Sequence, residues 1–313
     1  MDFVLGFDDA YSPFADVLIT SVCKNNYGYH NFYVITDFIS DDNKTKMYHD
    51  ANKLGVSLYF LYVNHDALAF FPMGPSMANR YVSIATYFRL FMVELLPLDI
   101  ERIIYLDCDT IINSSLELMW NWKFSDGKCI LAADDEPCNA IKSAKRLGYD
   151  LSYSYFNAGV FMTDIKKLRK ILTRNKVLAY ISENLDKIKF HDQDLLNAFL
   201  YDKRELLPIK YNMLDVYYKK VPQLPKVYSH HKIENIKKNP VIVHYSGPIK
   251  PWHIECQHPL VSLYLCYAEQ TSFSSCVRCR KYISIKDRML FHLKNLIKNI
   301  LEFLHLKQYS YGL

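Results

Sequence analysis

The chain has 313 residues, half of them hydrophobic and 23% charged, enough for one large domain or two modest ones and too apolar for wholesale disorder. Nine scattered glycines exclude collagen-like and low-complexity readings, and no uncharged apolar run of about 18 residues exists to span a bilayer. The net charge of +5 is unevenly placed: from Val277 to Leu313 eight Lys or Arg stand against two acids, so the tail carries +6 and the rest of the chain −1. A neutral body argues against a nucleic-acid partner. The segment Met1–Asp9 lacks the basic start of a signal peptide. Eight cysteines in this setting predict reduced thiols and a cytoplasmic protein. The metal-like pair Cys276 and Cys279 lacks the second pair that a zinc site wants.

Phe3 to Phe7 is a short apolar run closed by Asp8 and Asp9, which reads as a buried strand delivering two acids to its carboxyl end. Helical spacing from Tyr11 to Cys23 leads to a second apolar strand, Phe32 to Ile35. Asp41 to Leu54 reads as a helix capped by Asp41 or Ser40, and Val56 to Leu61 as a third strand. Ile84 to Leu95 predicts a helix stopped before Pro97. Arg102 to Leu106 predicts a strand running straight into Asp107-Cys108-Asp109. Ile130 to Ala133 and Gly159 to Met162 read as later strands, and Asp164 to Ile181 as a helix. This alternation predicts an α/β fold with a Rossmann-like, mainly parallel sheet. No repeat or Pro/Ser linker interrupts the chain before about residue 255.

Asp8, Asp9 and the Asp107/Asp109 pair then all lie beyond strand carboxyl ends, where open α/β sheets bind ligands. In extended backbone residues i and i+2 share a side, so Asp107 and Asp109 can reach one ion, and hard divalent cations such as Mn²⁺ or Mg²⁺ take oxygen ligands. A lone Asp-x-Asp is usually a solvated turn; the apolar strand before this one argues otherwise. In His191-Asp192-Gln193-Asp194 the plainest reading makes Asp192 or Asp194 a helix cap. Phe156 to Val160 puts Asn157 and Gly159 at a strand start that a ligand can approach. His244 to His253 combines a potential imidazole ligand, Gly247, a phosphate-suited Lys250 and a stacking Trp252.

In this order the segments resemble glycosyltransferase family 8, in particular the bacterial lipopolysaccharide or lipooligosaccharide galactosyl- and glucosyltransferases. The resemblance runs from about residue 2 to 255. It rests on Phe7–Tyr11, Ser83–Leu90, Tyr105–Asp109, Tyr155–Val160, Asp192–Asp194 with Leu196-Asn197, and His244–His253. It implies a GT-A catalytic domain, with a mixed, mainly parallel sheet, over residues 1–255, and retaining transfer of galactose or glucose from a UDP-sugar to a saccharide acceptor. Asp107, Asp109 and His244 would hold Mn²⁺ or Mg²⁺. Gly6, Asp8, Ala10 and Cys108 would line the nucleotide, with Asp8 on the uracil and Ala10 where relatives often carry Asn. Arg89 would meet the donor sugar or diphosphate, and Gly247 and Lys250 would clamp the pyrophosphate. Asn157, Asp192 and Gln193 would surround the sugar, with Gln193 near its β face. Same-face attack is favoured over Asp194 as a covalent nucleophile. Tyr11, Asp134, Tyr211, Asn212, Ser246 and Pro248 are candidate acceptor contacts.

Residues 256–313 form the second region. Between Ser284 and Leu306, Leu290, Leu293, Ile297, Ile300, Leu301 and Leu304 recur at three- and four-residue spacing, with Lys294 and Lys298 largely opposite and Phe291 and Phe303 adding apolar area. This basic amphipathic helix either packs on the domain or lies on anionic lipid of the inner membrane's cytoplasmic face; the segregated charge and a lipid-linked acceptor favour the second. Two other functions compete with hexosyl transfer. A metal-dependent nucleotidyltransferase would usually carry a glycine-rich loop after the first strand, which Gly6-Phe7-Asp8-Asp9 does not supply. A catalytically inactive sugar-nucleotide binder would not need the full Asp107, Asp109 and His244 set.

Overall fold

Strand β1 (Asp2–Gly6) buries Phe3, Val4 and Leu5 on both faces of a seven-stranded sheet, the signature of a strand covered by helices on either side. The computed structural model describes residues 1–72, 84–218 and 229–278, and the helical positions Lys286, Met289, His292, Leu293, Leu296, Ile297 and Ile300. The remaining strands of this sheet are β2 (Asn31–Thr36), β3 (Ser57–Tyr62), β4 (Arg102–Leu106), β6 (Ile130–Asp134), β7 (Phe156–Asp164) and β8 (Arg204–Leu206). Their order is β3-β2-β1-β4-β7-β6-β8. β5 (Thr110–Ile112), β9 (Met213–Leu214) and β10 (Ile242–His244) form a small second sheet in the order β5-β10-β9.

The sheet is mixed. β1, β2, β3 and β4 run parallel, as do β6 and β8, but β7 is antiparallel to both β4 and β6. That reversal brings the start of β7, with Asn157 and Gly159, beside the end of β4. One core face packs Phe3, Leu5, Ile104 and Leu106 against the helices Ser12–Asn25, Asp41–Leu54 and Val261–Ala268. The other packs Val4, Ile103, Tyr105 and Phe161 under Ile84–Leu95 and His191–Leu200.

The helix Asp41–Leu54 has the expected bounds because both of its stop signals are local: Ser40 accepts from Asn43 N, and Gly55 leaves the helix at φ +71°. Ile84–Phe91 is instead a 3-10 helix, continued as α-helix over Met92–Leu95. The three-residue repeat stacks Thr86 and Arg89 on one side, and both bind the Asp192 carboxylate. The expected helix from Asp164 is two, Ile165–Ile171 and Arg174–Asn184, broken where Leu172 turns out of helical backbone and buries its side chain.

Residues just past 255 join the same body. Tyr264 and Val277 are buried in the core that contains Phe3, and Asn25 Nδ2 donates to Tyr267 Oη at 2.7 Å. Ser272 Oγ donates to Asp50 at 2.7 Å. Beyond them, Met289, Leu293, Leu296, Ile297 and Ile300 are all about half-exposed or more. Leu290, Phe291, Lys294, Lys298, Leu301, Phe303 and Leu304 lie outside the described residues, as do Ser83 and Cys279. No described helix is long and apolar enough to cross a membrane.

Candidate active site

β4 ends at Leu106 and hands Asp107 to a backbone bond with the start of β7: Asp107 N donates to Gly159 O at 2.8 Å. Three residues on, Thr110 opens β5, whose antiparallel partner β10 places His244 opposite it. Tyr245 N donates to Asp109 O at 2.9 Å, so strand pairing alone carries His244 to the acidic pair across more than a hundred residues of chain. One ligand atom each from Asp107, Asp109 and His244 lies within 4.8 Å of the others.

These three residues fit a divalent cation on further grounds. Asp109 Oδ1 is buried with no hydrogen-bond partner, and His244 Nε2 faces it at 3.3 Å. Gly159 leaves the opening: a Cβ there would stand 2.5 Å from His244 Cε1 and 2.6 Å from Asp107 Oδ2. Burial would raise the Asp109 carboxyl, but Lys250 and His244 beside it hold it below the usual carboxylate range. For His244, burial opposes the charged form, yet Asp109 raises its pKa. Lys250 Nζ donates to Asp109 Oδ2 at 2.6 Å and to Tyr245 O at 2.8 Å. A chain-borne cation therefore already sits on the carboxylate.

Arg89 is buried between two acids, with Nη2 at 2.8 Å from Asp107 Oδ1 and Nε at 2.8 Å from Asp192 Oδ2. Its guanidinium also lies over the Tyr105 ring, 4.6 Å from the centroid. The same residue thus braces a candidate metal ligand and a candidate sugar neighbour. Asp192 sits in the first turn of His191–Leu200 without capping it; burial pushes its carboxyl up to about 6, with Arg89 pulling the other way.

Asp194, in the same turn, is fully buried. Arg146 binds it through both terminal nitrogens at 2.7 and 2.9 Å, Tyr155 Oη donates at 2.7 Å, and Lys189 N and Phe190 N each donate at 2.7 Å. Every oxygen lone pair is engaged, so in this arrangement Asp194 anchors the turn that precedes its helix.

Of the acids after β1, Asp9 is tied down by Ser40 N, Ser40 Oγ and Asn43 Nδ2, whereas Asp8 Oδ1 is buried and has no partner. Ala10 is exposed beside them. Gly6 is close-packed: a Cβ would stand 3.3 Å from both Phe88 Cβ and Tyr105 Oη. Cys108 turns its side chain into the core. Gly247 N donates to Asp215 Oδ2 at 3.0 Å, and burial pushes that carboxyl up to about 6.

Several expectations are corrected by packing. Trp252 is not a free stacking surface: it stacks on Phe14 at 3.7 Å between centroids. Asp134 is paired with Arg204 at 2.6 Å and accepts from Ser154, and Tyr211 and Asn212 are buried. Tyr11 and Ser246 remain partly exposed and Pro248 exposed. The acid that faces the site is Asp135, one residue on, which accepts from Asn157 Nδ2 at 3.1 Å and Gln193 Nε2 at 3.2 Å. The rule that picked out strand-end acids also covers Asp135, but the register irregularity between Ala132 and Asp134 decides which side chain points inward.

Cation ligands with the Lys250 and Gly247 donors close by suit a ligand that meets both, as a nucleoside diphosphate does. On this sheet such a ligand defines a nucleotide-sugar transferase of the GT-A type. The chain belongs to glycosyltransferase family 8, whose profile matches residues 2–256. It is 29% identical over 262 residues to a lipopolysaccharide 1,2-glucosyltransferase of Escherichia coli K12, covering 83% of this chain and 75% of that protein. To a lipopolysaccharide 1,3-galactosyltransferase of Salmonella typhimurium it is 23% identical, over 78% of this chain and 70% of that one. Among solved structures, the galactosyltransferase LgtC in complex with donor and acceptor sugar analogs superposes with a TM-score of 0.74 at 25% identity, over 87% of this chain and 96% of that one. The protein is a glycosyltransferase, and the family's donor is a UDP-sugar used with a divalent cation.

Proposed function

We propose that this enzyme is a retaining hexosyltransferase that moves galactose or glucose from a UDP-hexose to a saccharide acceptor during assembly of a lipopolysaccharide or lipooligosaccharide core. The convergence of Asp107, Asp109 and His244 at the strand ends supports this reading most directly, and the relatives' glucosyl and galactosyl activities set the sugar class. These three residues would hold Mn²⁺, or Mg²⁺ in its place, which when bound supplies positive charge against the departing diphosphate. Lys250, released from Asp109, and Gly247 N–H, released from Asp215, are the chain's own donors to the diphosphate oxygens. Asp8, with its free buried oxygen, is the acceptor offered to the uracil N–H.

At the sugar, Asp192 and Gln193 face the positive charge that develops at the anomeric carbon. The saturated partners of Asp194 favour same-face attack. The bond from the anomeric carbon to the phosphate oxygen breaks, the acceptor oxygen bonds to that carbon, and its proton passes to the departing phosphate. The test is incubation with UDP-galactose or UDP-glucose, Mn²⁺ and core oligosaccharides. A product heavier by one hexose with an α-linkage is expected; nucleotidyl transfer or no UDP release would overturn the reading.

The basic tail supports peripheral attachment to the cytoplasmic face of the inner membrane, where a lipid-linked acceptor is met. Its described apolar positions stay exposed rather than docking on the body, and each nearby Lys or Arg adds about 1 kcal/mol toward an anionic surface. Because Val277 is part of the core, the cut that tests this falls after Arg278. The shortened enzyme should stay active on free oligosaccharide and leave the membrane pellet; continued sedimentation with membranes would rule the anchor out.

A further inference from the structure

Three carboxamides and a carboxylate run from the candidate sugar pocket to the candidate metal imidazole, and their directions can be assigned one after another. Ala158 N–H donates to Gln193 Oε1 at 2.9 Å, and Gly159 N–H donates to Asn157 Oδ1 at 3.0 Å. A backbone N–H can only donate, so each contact fixes which end of its amide is oxygen. Both NH₂ ends then point at Asp135, whose carboxylate accepts from Gln193 Nε2 and Asn157 Nδ2. Asn157 Oδ1 accepts a second hydrogen bond, from Asn212 Nδ2 at 2.9 Å. That leaves Asn212 Oδ1 facing His244 Nδ1 at 2.8 Å. All four groups from Asp135 to His244 are at least nine-tenths buried.

We propose that Asn212 is a positioning residue that sets the tautomer of His244, holding the proton on Nδ1 so that Nε2 presents its lone pair to the cation. This rests on the metal site of the proposed function and adds the outer partner that orients its imidazole. An amide oxygen can only accept, so Nδ1 must carry hydrogen. The neutral ring then turns a bare Nε2 toward Asp109 Oδ1, 3.3 Å away, an oxygen that has no hydrogen-bond partner. Two lone pairs facing each other in a buried place are an arrangement that a cation completes. Asp135 makes the row one-directional, since as a carboxylate it accepts from both amides and donates to neither.

Nitrogen-15 NMR of the metal-free protein, on the alkaline side of the imidazole titration, reads this directly, with the His244 signals assigned by their loss in His244→Gln. The Nδ1–H tautomer is expected; an Nε2–H tautomer overturns the proposal. Calorimetric titration with Mn²⁺ in the presence of UDP gives the second readout. Asn212→Leu should bind Mn²⁺ about 10–100-fold more weakly. Asn212→Asp, which keeps an oxygen before Nδ1 while losing the bond to Asn157, should recover most of that loss. Wild-type affinity in a folded Asn212→Leu protein overturns the proposal, and should that variant not fold, the wild-type tautomer decides alone. A wild-type protein with the Nδ1–H tautomer that takes up no Mn²⁺ supports the role of Asn212 and defeats the cation reading instead.

Discussion

Asp107→Ala and Asp109→Ala should each lower kcat/KM by roughly 10³-fold or more, with the folded protein retained. The two losses differ in kind. Asp107 is one of two acids that neutralise the buried Arg89, so its removal leaves Asp192 to balance that guanidinium. Asp109 pairs with Lys250 and lies 3.3 Å from His244 Nε2, whose pKa it raises. Without it two potential cations sit together with no anion between them, and the site turns from one that attracts a divalent ion into one that repels it. Mass-spectrometric product assays with a Mn²⁺ titration check both variants, and melting curves separate catalytic loss from unfolding. Near-normal, metal-dependent transfer by either variant would refute the ligand assignment.

The parts of the molecule that sequence made legible are those governed by local rules. Apolar runs marked β1, β2 and β4, and the cap read at Asp41 or Ser40 opened the helix to Leu54, because capping acts over a few residues. The Asp-x-Asp pair followed from its place after β4. What stayed hidden depends on partners distant in sequence. The reversed direction of β7 is a property of sheet pairing, and Asn212 resembled a surface contact until β9 and β10 brought it beside His244. Asp134 and Asp135 are indistinguishable on paper; only the register of β6 against β7 sends one to Arg204 and the other to the amides. Gln193 and Asp194 differ likewise. The family motif spans both, while burial and five donors tie Asp194 to the turn before its helix.

Gly159→Ala tests the geometry of the site with the smallest change available, and its expected effect is second only to loss of a carboxylate. Gly159 has no left-handed backbone, so alanine meets no conformational strain there, unlike at Gly55 with φ +71°. The whole effect is steric. The new methyl would stand 2.5 Å from His244 Cε1 and 2.6 Å from Asp107 Oδ2, and neither neighbour is free to swing away. His244 is held by Asn212, and Asp107 by Arg89, which is itself fixed on Asp192 and the Ala158 carbonyl. The imidazole and the carboxylate must part by about an ångström, and a displacement of that size costs on the order of 10² in rate. Overpacking adds about 1–3 kcal/mol of destabilisation, so the variant should remain folded at 25 °C while Mn²⁺ affinity and transfer fall together. A folded Gly159→Ala enzyme with wild-type cation affinity and rate would mean that Asp107 and His244 do not grip the same ion.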